Sequence, residues 1–195
     1  MKKLNHSKTN RFESQTIVTG KKNNADFYIT PPYAVNTLLK REKFEGDILE
    51  PSCGNGSISN ALKQHKYIVY SYDINSHKIG YGLQKDFLLR TKSIDNIITN
   101  PPYNRTLDFI LHGLKLYNNK MAFLIRLAFV ESQKRYKLIF EHHKPARIYI
   151  FSKRINYLPT GNTFGGGLIT AWFVWDKEAK NKDTIIRWIN DEEEN

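Results

Sequence analysis

Asn100-Pro101-Pro102-Tyr103 sets an amide, two rigid rings and an aromatic side chain in a row directly after the apolar run 94–99, where a buried strand passes into its loop. Proline holds φ at about −65° and has no backbone donor, so Pro101 and Pro102 stiffen the loop and leave the Pro101 carbonyl as an acceptor. The Asn100 side-chain carbonyl is a second acceptor. Tyr103 offers a flat face to a planar heterocycle, and a base stacked on an aromatic ring gains about 1–3 kcal/mol. Two acceptors beside a platform suit an exocyclic amino group on a ring. The same four residues also read as a strand-breaking turn with a tyrosine capping the core, and the rest of the chain bears on the choice.

A second constellation lies upstream. After the short buried strand expected at 47–50, Pro51-Ser52-Cys53-Gly54-Asn55-Gly56 forms a turn opening into an expected helix at 57–64. Glycine permits the sharp turn and lets a ligand lie against the backbone, and the helix start supplies unpaired N–H groups. The Gly-Lys-Ser/Thr ending of a Walker loop is absent, as is the full dinucleotide fingerprint, and a lone Gly-x-Gly is often only a turn. The strand expected at 68–72 ends in Asp73, where βαβ units place a carboxylate that accepts ribose hydroxyls, although Asp73 could equally cap its turn. Glu50, Gly54, Gly56 and Asp73 together are a much stronger signal than any one of them. Asp86-Phe87 is a further candidate: a carboxylate accepting from an adenine amino group with a ring packed on it, or equally a loop end with a core phenylalanine.

These groups need strands that end near one another. Segment 27–32 reads as extended and 33–40 as a helix with Val35, Leu38 and Leu39 on one side, Thr30 as its cap and Pro31 at its first position. Further strands are expected at 121–127, 147–151 and 168–175, and further helices at 107–116 (Phe109, Ile110, Leu111 and Leu114 inward), 131–142 and 184–190. No helix separates 147–151 from 168–175, so these two are expected to pair antiparallel through the loop 152–167. That loop is basic at Lys153 and Arg154, aromatic at Tyr157 and Phe164, and ends in three glycines. Loops of this length are functional or disordered, and a functional loop is the expectation here.

The 195 residues fit one domain. Residues 1–25 read as a flexible basic tail, 26–190 as a single domain and 191–195 as an acidic tail. No apolar run reaches the length of a membrane span, and Met1-Lys2-Lys3 leads into polar residues, so a cytoplasmic protein without a membrane partner is expected. A single cysteine excludes an internal disulfide or a multi-thiolate site, and the six histidines lack ligand spacing, so no metal is expected. The net charge of +11 favours a polyanionic partner. Its distribution says more: Arg126, Lys134, Arg135, Lys137, Lys144, Arg147, Lys153 and Arg154 face only Glu131 and Glu141 in the same window. From these, Arg126, Lys134, Arg135, Lys153 and Arg154, joined by Tyr157, are the candidate nucleic-acid contacts.

The succession of strand, glycine turn, helix, acid-terminated strand, Asn-Pro-Pro-Tyr after a later strand and a closing antiparallel pair resembles the class I S-adenosylmethionine-dependent methyltransferases. More narrowly, it resembles the small bacterial and phage DNA methyltransferases that act on adenine N6. The resemblance spans nearly all of residues 26–176, including Ala171-Trp172-Phe173-Val174-Trp175 as the last strand. It implies an α/β, Rossmann-like fold, with a mostly parallel seven-stranded sheet and a C-terminal antiparallel strand pair. It implies S-adenosyl-L-methionine as cofactor and Asn100, Pro101, Pro102 and Tyr103 as catalytic residues. The implied cofactor site is Tyr28, Thr30 and Pro31 over the methionine part, the loop Glu50, Pro51, Cys53, Gly54, Asn55 and Gly56, then Asp73 with Ile74, Asp86 with Phe87, and Asn100. Double-stranded DNA is the implied partner. Larger members carry a separate target-recognition domain for which this chain has no room, so specificity is short, loop-borne, weak or supplied by a protein partner.

On that reading Asn100 and the Pro101 carbonyl accept the two N6 hydrogens, and Cys53 is a small wall residue, since the chemistry needs no covalent thiol. The base must leave the duplex, at about a few kcal/mol, and stack on Tyr103. The same tetrapeptide serves enzymes acting on glutamine amides in proteins or guanine amino groups in RNA, and a non-enzymatic nucleic-acid-binding regulator could keep the same scaffold. Cytosine N4 enzymes more often place Ser before Pro-Pro. The basic charge favours nucleic acid over protein without separating DNA from RNA.

Overall fold

The computed structural model describes residues 29–76, 80–157, 169–180 and 183–190. The tail 1–25, Tyr28, residues 158–168 of the glycine-rich loop and the acidic tail 191–195 lie outside the described residues. In chain order the elements are α1 (Pro32–Leu39), β1 (Ile48–Glu50), α2 (Ser57–Gln64), β2 (Val69–Asp73), β3 (Leu83–Gln84), β4 (Ile94–Thr99), α3 (Thr106–Gly113), β5 (Tyr117–Arg126), β6 (Arg147–Phe151), β7 (Thr170–Asp176) and β8 (Ile185–Ile189). They build one sheet in the order β3-β2-β1-β4-β5-β7-β6-β8. β7 runs antiparallel to both β5 and β6, and the other pairings are parallel.

The continuous apolar runs of β4, β5 and β7 follow from burial on both faces. Along β5, Met121, Phe123 and Ile125 join α3 residues Phe109 and Ile110 on one side, while Ala122 and Leu124 join Val35 and Leu38 of α1 and Ile58 and Leu62 of α2 on the other. β7 divides likewise, Phe173 and Trp175 against Trp172 and Val174. Both indoles are satisfied: Trp172 Nε1 donates to the Ala34 carbonyl of α1 at 2.7 Å and Trp175 Nε1 to that of His143 at 2.8 Å.

Four expectations change. The segment expected as a closing helix at 184–190 is β8, paired residue by residue with β6 from Arg147↔Ile185 to Phe151↔Ile189, so the sheet has eight strands. Its β-branched and aromatic residues suit a pleated, half-buried surface better than a helix. The long basic helix expected at 131–142 is a single turn, Gln133–Arg135, that runs into the wider π-helical turn Tyr136–Phe140. α1 is capped by Pro31 with Pro32 at its first position, not by Thr30, whose hydroxyl is used elsewhere. And Arg147, counted in the basic window, faces inward. It pairs with Glu42 and with Asp176 at 2.5 Å, while Lys120 reaches Glu42 at 2.9 Å and the Tyr149 hydroxyl donates to Glu42 at 2.8 Å. Its acids lie far away in sequence, so counting charges in one window missed them.

Candidate active site

The chain leaves β1 toward β2 on one side and leaves β4 toward β5 on the other, so a crevice opens between the C-terminal ends of β1 and β4, the usual ligand position in open α/β sheets. The register Ile48↔Asn96 and Leu49↔Ile97 brings Glu50 and the Asn100 loop to the same end of the sheet. Ser52 Oγ reaches the Asn100 backbone carbonyl at 3.5 Å, which ties the glycine loop to the Asn-Pro-Pro-Tyr loop.

Asn100 is the best-defined group. Its Nδ2 donates to the buried Thr30 Oγ1 at 3.1 Å, which orients the amide. Its Oδ1 is buried and accepts no hydrogen bond among the described residues. A buried acceptor without a donor costs about 1–3 kcal/mol, and such groups in folded proteins call for an explanation. The loop beyond is rigid: Pro101 is buried, the Arg105 N–H donates to the Pro102 carbonyl at 2.9 Å, and Thr106 Oγ1 reaches the carbonyls of Pro102 and Tyr103 at 3.3 and 3.1 Å. The Tyr103 hydroxyl is buried and lies close to that of Tyr157, which meets Thr170 Oγ1 at 2.8 Å. Burial pushes the Tyr157 hydroxyl pKa up.

The glycine loop is held to β2 from both sides. Asp73 Oδ2 accepts from the Gly54 N–H at 2.9 Å and Oδ1 from that of Asn75 at 2.7 Å, so Asp73 caps its turn and anchors the loop at once. Each oxygen retains a second lone pair, so capping leaves capacity for a hydroxyl donor. Asn55 Oδ1 accepts from the N–H and hydroxyl of Ser57 at the start of α2. Gly56 sits at φ +83°, where a Cβ would also run into the Tyr81 ring. Glu50 is buried, hydrogen-bonded by Ser59 Oγ, which also meets Ser71 Oγ at 2.6 Å; burial pushes its carboxyl pKa up to about 8. Burial also pushes the Cys53 thiol up to about 12, which fits a wall residue and not a nucleophile.

The remaining candidates are less closely gathered. Pro31 caps α1 beside Thr30, and Ile74 is exposed just past Asp73. Asp86 Oδ1 accepts from the Leu88 N–H at 2.9 Å, and the Phe87 ring is buried in the core against Phe109 and His112. Asp86 also borders an open recess of about 320 Å³ with Tyr72, Lys85 and Arg90. Among the basic residues, Lys134, Lys153 and Arg154 are exposed, and the exposed Arg126 lies over the Tyr103 ring at 4.7 Å. Arg135 is differently used: its Nη1 donates to the carbonyls of Ala128, Phe129 and Glu131 at 3.2, 2.9 and 3.2 Å. Ser59 and Tyr81 are the residues the sequence reading missed. Ser59 did leave a trace, a polar residue on the helix face that otherwise carries Ile58, Ala61 and Leu62.

No protein-family description matches the sequence, and no curated protein matches it. Solved structures do. The modification subunit of a putative type I restriction enzyme from Vibrio vulnificus YJ016 superposes with a TM-score of 0.58 at 11% identity, over 87% of this chain and 48% of that one. The present chain therefore spans about half the length of that subunit. A putative RNA methyltransferase from Pyrococcus horikoshii gives 0.52 at 16% identity, over 81% of this chain and 91% of that one. The magnesium protoporphyrin IX methyltransferase of Synechocystis PCC 6803, with bound S-adenosylmethionine, gives 0.50 at 16%, over 73% and 77%. The chain has the Rossmann-like class I methyltransferase fold. No helix among the described residues is long and apolar enough to cross a membrane.

Proposed function

We propose that this protein transfers a methyl group from S-adenosyl-L-methionine to the exocyclic N6 amino group of adenine in DNA. The observation that carries the reading is the Asn100 amide: its nitrogen is tied to Thr30, so its oxygen is aimed and buried with no donor among the described residues. A substrate N–H would satisfy it. The residues at the crevice suit the cofactor, with Gly54 and Gly56 giving backbone approach, Asp73 retaining lone pairs for ribose hydroxyls and Glu50 a carboxyl beside the loop.

S-adenosylmethionine, when bound, supplies a sulfonium methyl open to nucleophilic displacement. The adenine amino nitrogen is a poor nucleophile because its lone pair is delocalised into the ring. With its two hydrogens accepted by Asn100 Oδ1 and the Pro101 carbonyl, that nitrogen moves toward tetrahedral geometry and frees its lone pair. Displacement at that methyl would form the N–C bond as the S–C bond breaks, with the surplus proton lost to solvent. The chain's contribution is positioning and preorganised acceptors, with Tyr103 as the platform for the base. The net charge supports a nucleic-acid substrate. The superposition with a putative RNA methyltransferase of similar length makes RNA the second substrate class, and a protein partner supplying target recognition belongs to the DNA reading.

Purified protein incubated with methyl-labelled S-adenosylmethionine and, in parallel, duplex DNA, single-stranded DNA, RNA and protein extract tests this. N6-methyladenine in DNA, lost with Asn100→Ala, is the expected result. Label in RNA or in glutamine moves the substrate and retains the chemistry. Label nowhere, with the cofactor bound, overturns the reading in favour of a binding protein.

A further inference from the structure

Arg126 and Tyr103 were placed by sequence in separate roles, one on the nucleic-acid backbone and one under the base, but the structure stacks them. The Arg126 guanidinium lies 4.7 Å from the centre of the Tyr103 ring. Neither position is accidental. Arg126 is the last residue of β5 and sits directly opposite Thr170 of β7. Thr170 Oγ1 meets the Tyr157 hydroxyl at 2.8 Å, and the buried Tyr103 hydroxyl lies close to Tyr157. The strand pair thus locates the arginine, and the packing of Tyr103 beside Tyr157 locates the ring.

We propose that Arg126 is a displaceable occupant of the base platform: it covers the outward face of Tyr103 in the free protein, yields it to the target base, and then engages the flanking phosphate. This rests on the nucleic-acid methyltransferase reading above. The Tyr103 hydroxyl is buried while Arg126 is exposed, so the covered face is the one turned to solvent. A cation over an aromatic ring at an exposed site is held more weakly than a stacked base, so the exchange runs toward the base. The displaced guanidinium remains at the mouth of the crevice, and its planar fork matches a phosphate. One side chain thereby keeps an apolar face covered before the substrate arrives and reads the backbone beside the flipped base afterwards.

The signature is a pair of effects with opposite sign, which a merely structural role for Arg126 would not produce. Two ligands are titrated with protein saturated in S-adenosylhomocysteine: a fluorescent mixed-sequence single-stranded oligonucleotide and free adenosine, which has a base and no phosphate. Arg126→Ala is expected to weaken the oligonucleotide several-fold and lower the slope of log affinity against log salt by about 0.7, one phosphate contact on a single strand. The same change is expected to tighten adenosine about 2- to 5-fold by uncovering the ring. Arg126→Lys is expected to restore the salt slope. In turnover, the Arg126→Ala rise in KM for DNA exceeds any change in kcat. Adenosine affinity that is unchanged or lower in Arg126→Ala, or an unaltered salt slope, overturns the role of Arg126 while wild-type label transfer stands. Wild-type protein that transfers no label to any nucleic acid overturns the underlying reading and this role with it.

Discussion

The two ends of the same sheet treat buried carboxylates in opposite ways. At the end where β5 and β6 begin, the buried carboxylate of Glu42 is met by Arg147, Lys120 and the Tyr149 hydroxyl, and Asp176 by Arg147 and the Glu178 N–H. At the end where β1 and β4 finish, Asn100 Oδ1 has no donor among the described residues, and Glu50 is buried with the hydroxyl and backbone N–H of Ser59 on its carboxyl. Burial is what pushes Glu50 up to about 8, outweighing the Ser59 hydrogen bonds and the charge of Lys63, which act the other way. The first end joins the segment just past α1 to three strands, and on the proposed reading the second holds acceptors for a substrate that arrives later.

The sharpest break of the comparison is to remove one polar group at each end. Asn100→Ala is expected to lower methyl transfer by about 10²–10³-fold or more, the scale for losing a preorganised transition-state partner. Its S-adenosylmethionine affinity should stay near wild type, and its stability should fall only by the lost Nδ2–Thr30 hydrogen bond, about 1 kcal/mol, because the oxygen has no donor among the described residues. Calorimetric cofactor binding beside the transfer assay checks this, and equal loss of both would count against a catalytic amide. Glu42→Ala is expected to do the reverse. It strands Arg147 and Lys120 and should cost about 3–5 kcal/mol of stability by urea unfolding, with cofactor affinity intact in the fraction that remains folded.

This division also explains what the sequence made legible. The strand runs, the helix 57–64 and the position of Asn100-Pro101-Pro102-Tyr103 could be read because each rests on neighbours within a few residues. The pairing of Arg147 with Glu42 and Asp176 could not, since partners separated by 105 and 29 positions leave no trace in a charge window. β8 was misread as a helix for a related reason. An edge strand with Ile186 and Trp188 exposed shows no alternation, and only its pairing with β6 defines it. The orientation of the Asn100 amide was likewise invisible, because it depends on Thr30, seventy positions away.

Glu50 sharpens the comparison through pH. The folded protein holds this proton up to about pH 8, whereas the unfolded chain releases it near 4.5. The folded state therefore binds more protons between these values, and the group's contribution to stability, full below 4.5, is lost progressively as pH rises toward and past 8. Urea unfolding from pH 5 to 9 should show wild type falling relative to Glu50→Gln by a few kcal/mol, with the variant the more stable at pH 9. A cationic cofactor beside Glu50 favours the carboxylate, so S-adenosylmethionine should bind more tightly as pH approaches 8, and Glu50→Gln should flatten that rise. Parallel stability curves for the two proteins would show that Glu50 ionises as an ordinary carboxyl.

The mildest test uses one glycine from each end. Gly46 before β1 and Gly56 before α2 share left-handed backbones, with φ of +86° and +83°. A Cβ would strike the Asp95 carboxylate at the first and the Tyr81 ring at the second. Alanine in this region costs about 1–2 kcal/mol through backbone strain alone, so both variants should lose stability by similar amounts. Their binding should differ. Asp95 accepts from the Asp47 N–H at 2.9 Å and serves only the turn into β1, so Gly46→Ala should leave S-adenosylmethionine affinity unchanged. Gly56→Ala moves the turn that would face the cofactor and pushes on Tyr81, whose hydroxyl is tied to Asn60 and Lys63, so affinity should fall several-fold. Truncating Tyr81 to alanine in the Gly56→Ala background separates the causes: recovered affinity assigns the loss to the ring, and persistent loss assigns it to the backbone. Equal cofactor affinity in Gly46→Ala and Gly56→Ala would mean that the glycine loop is a turn and nothing more.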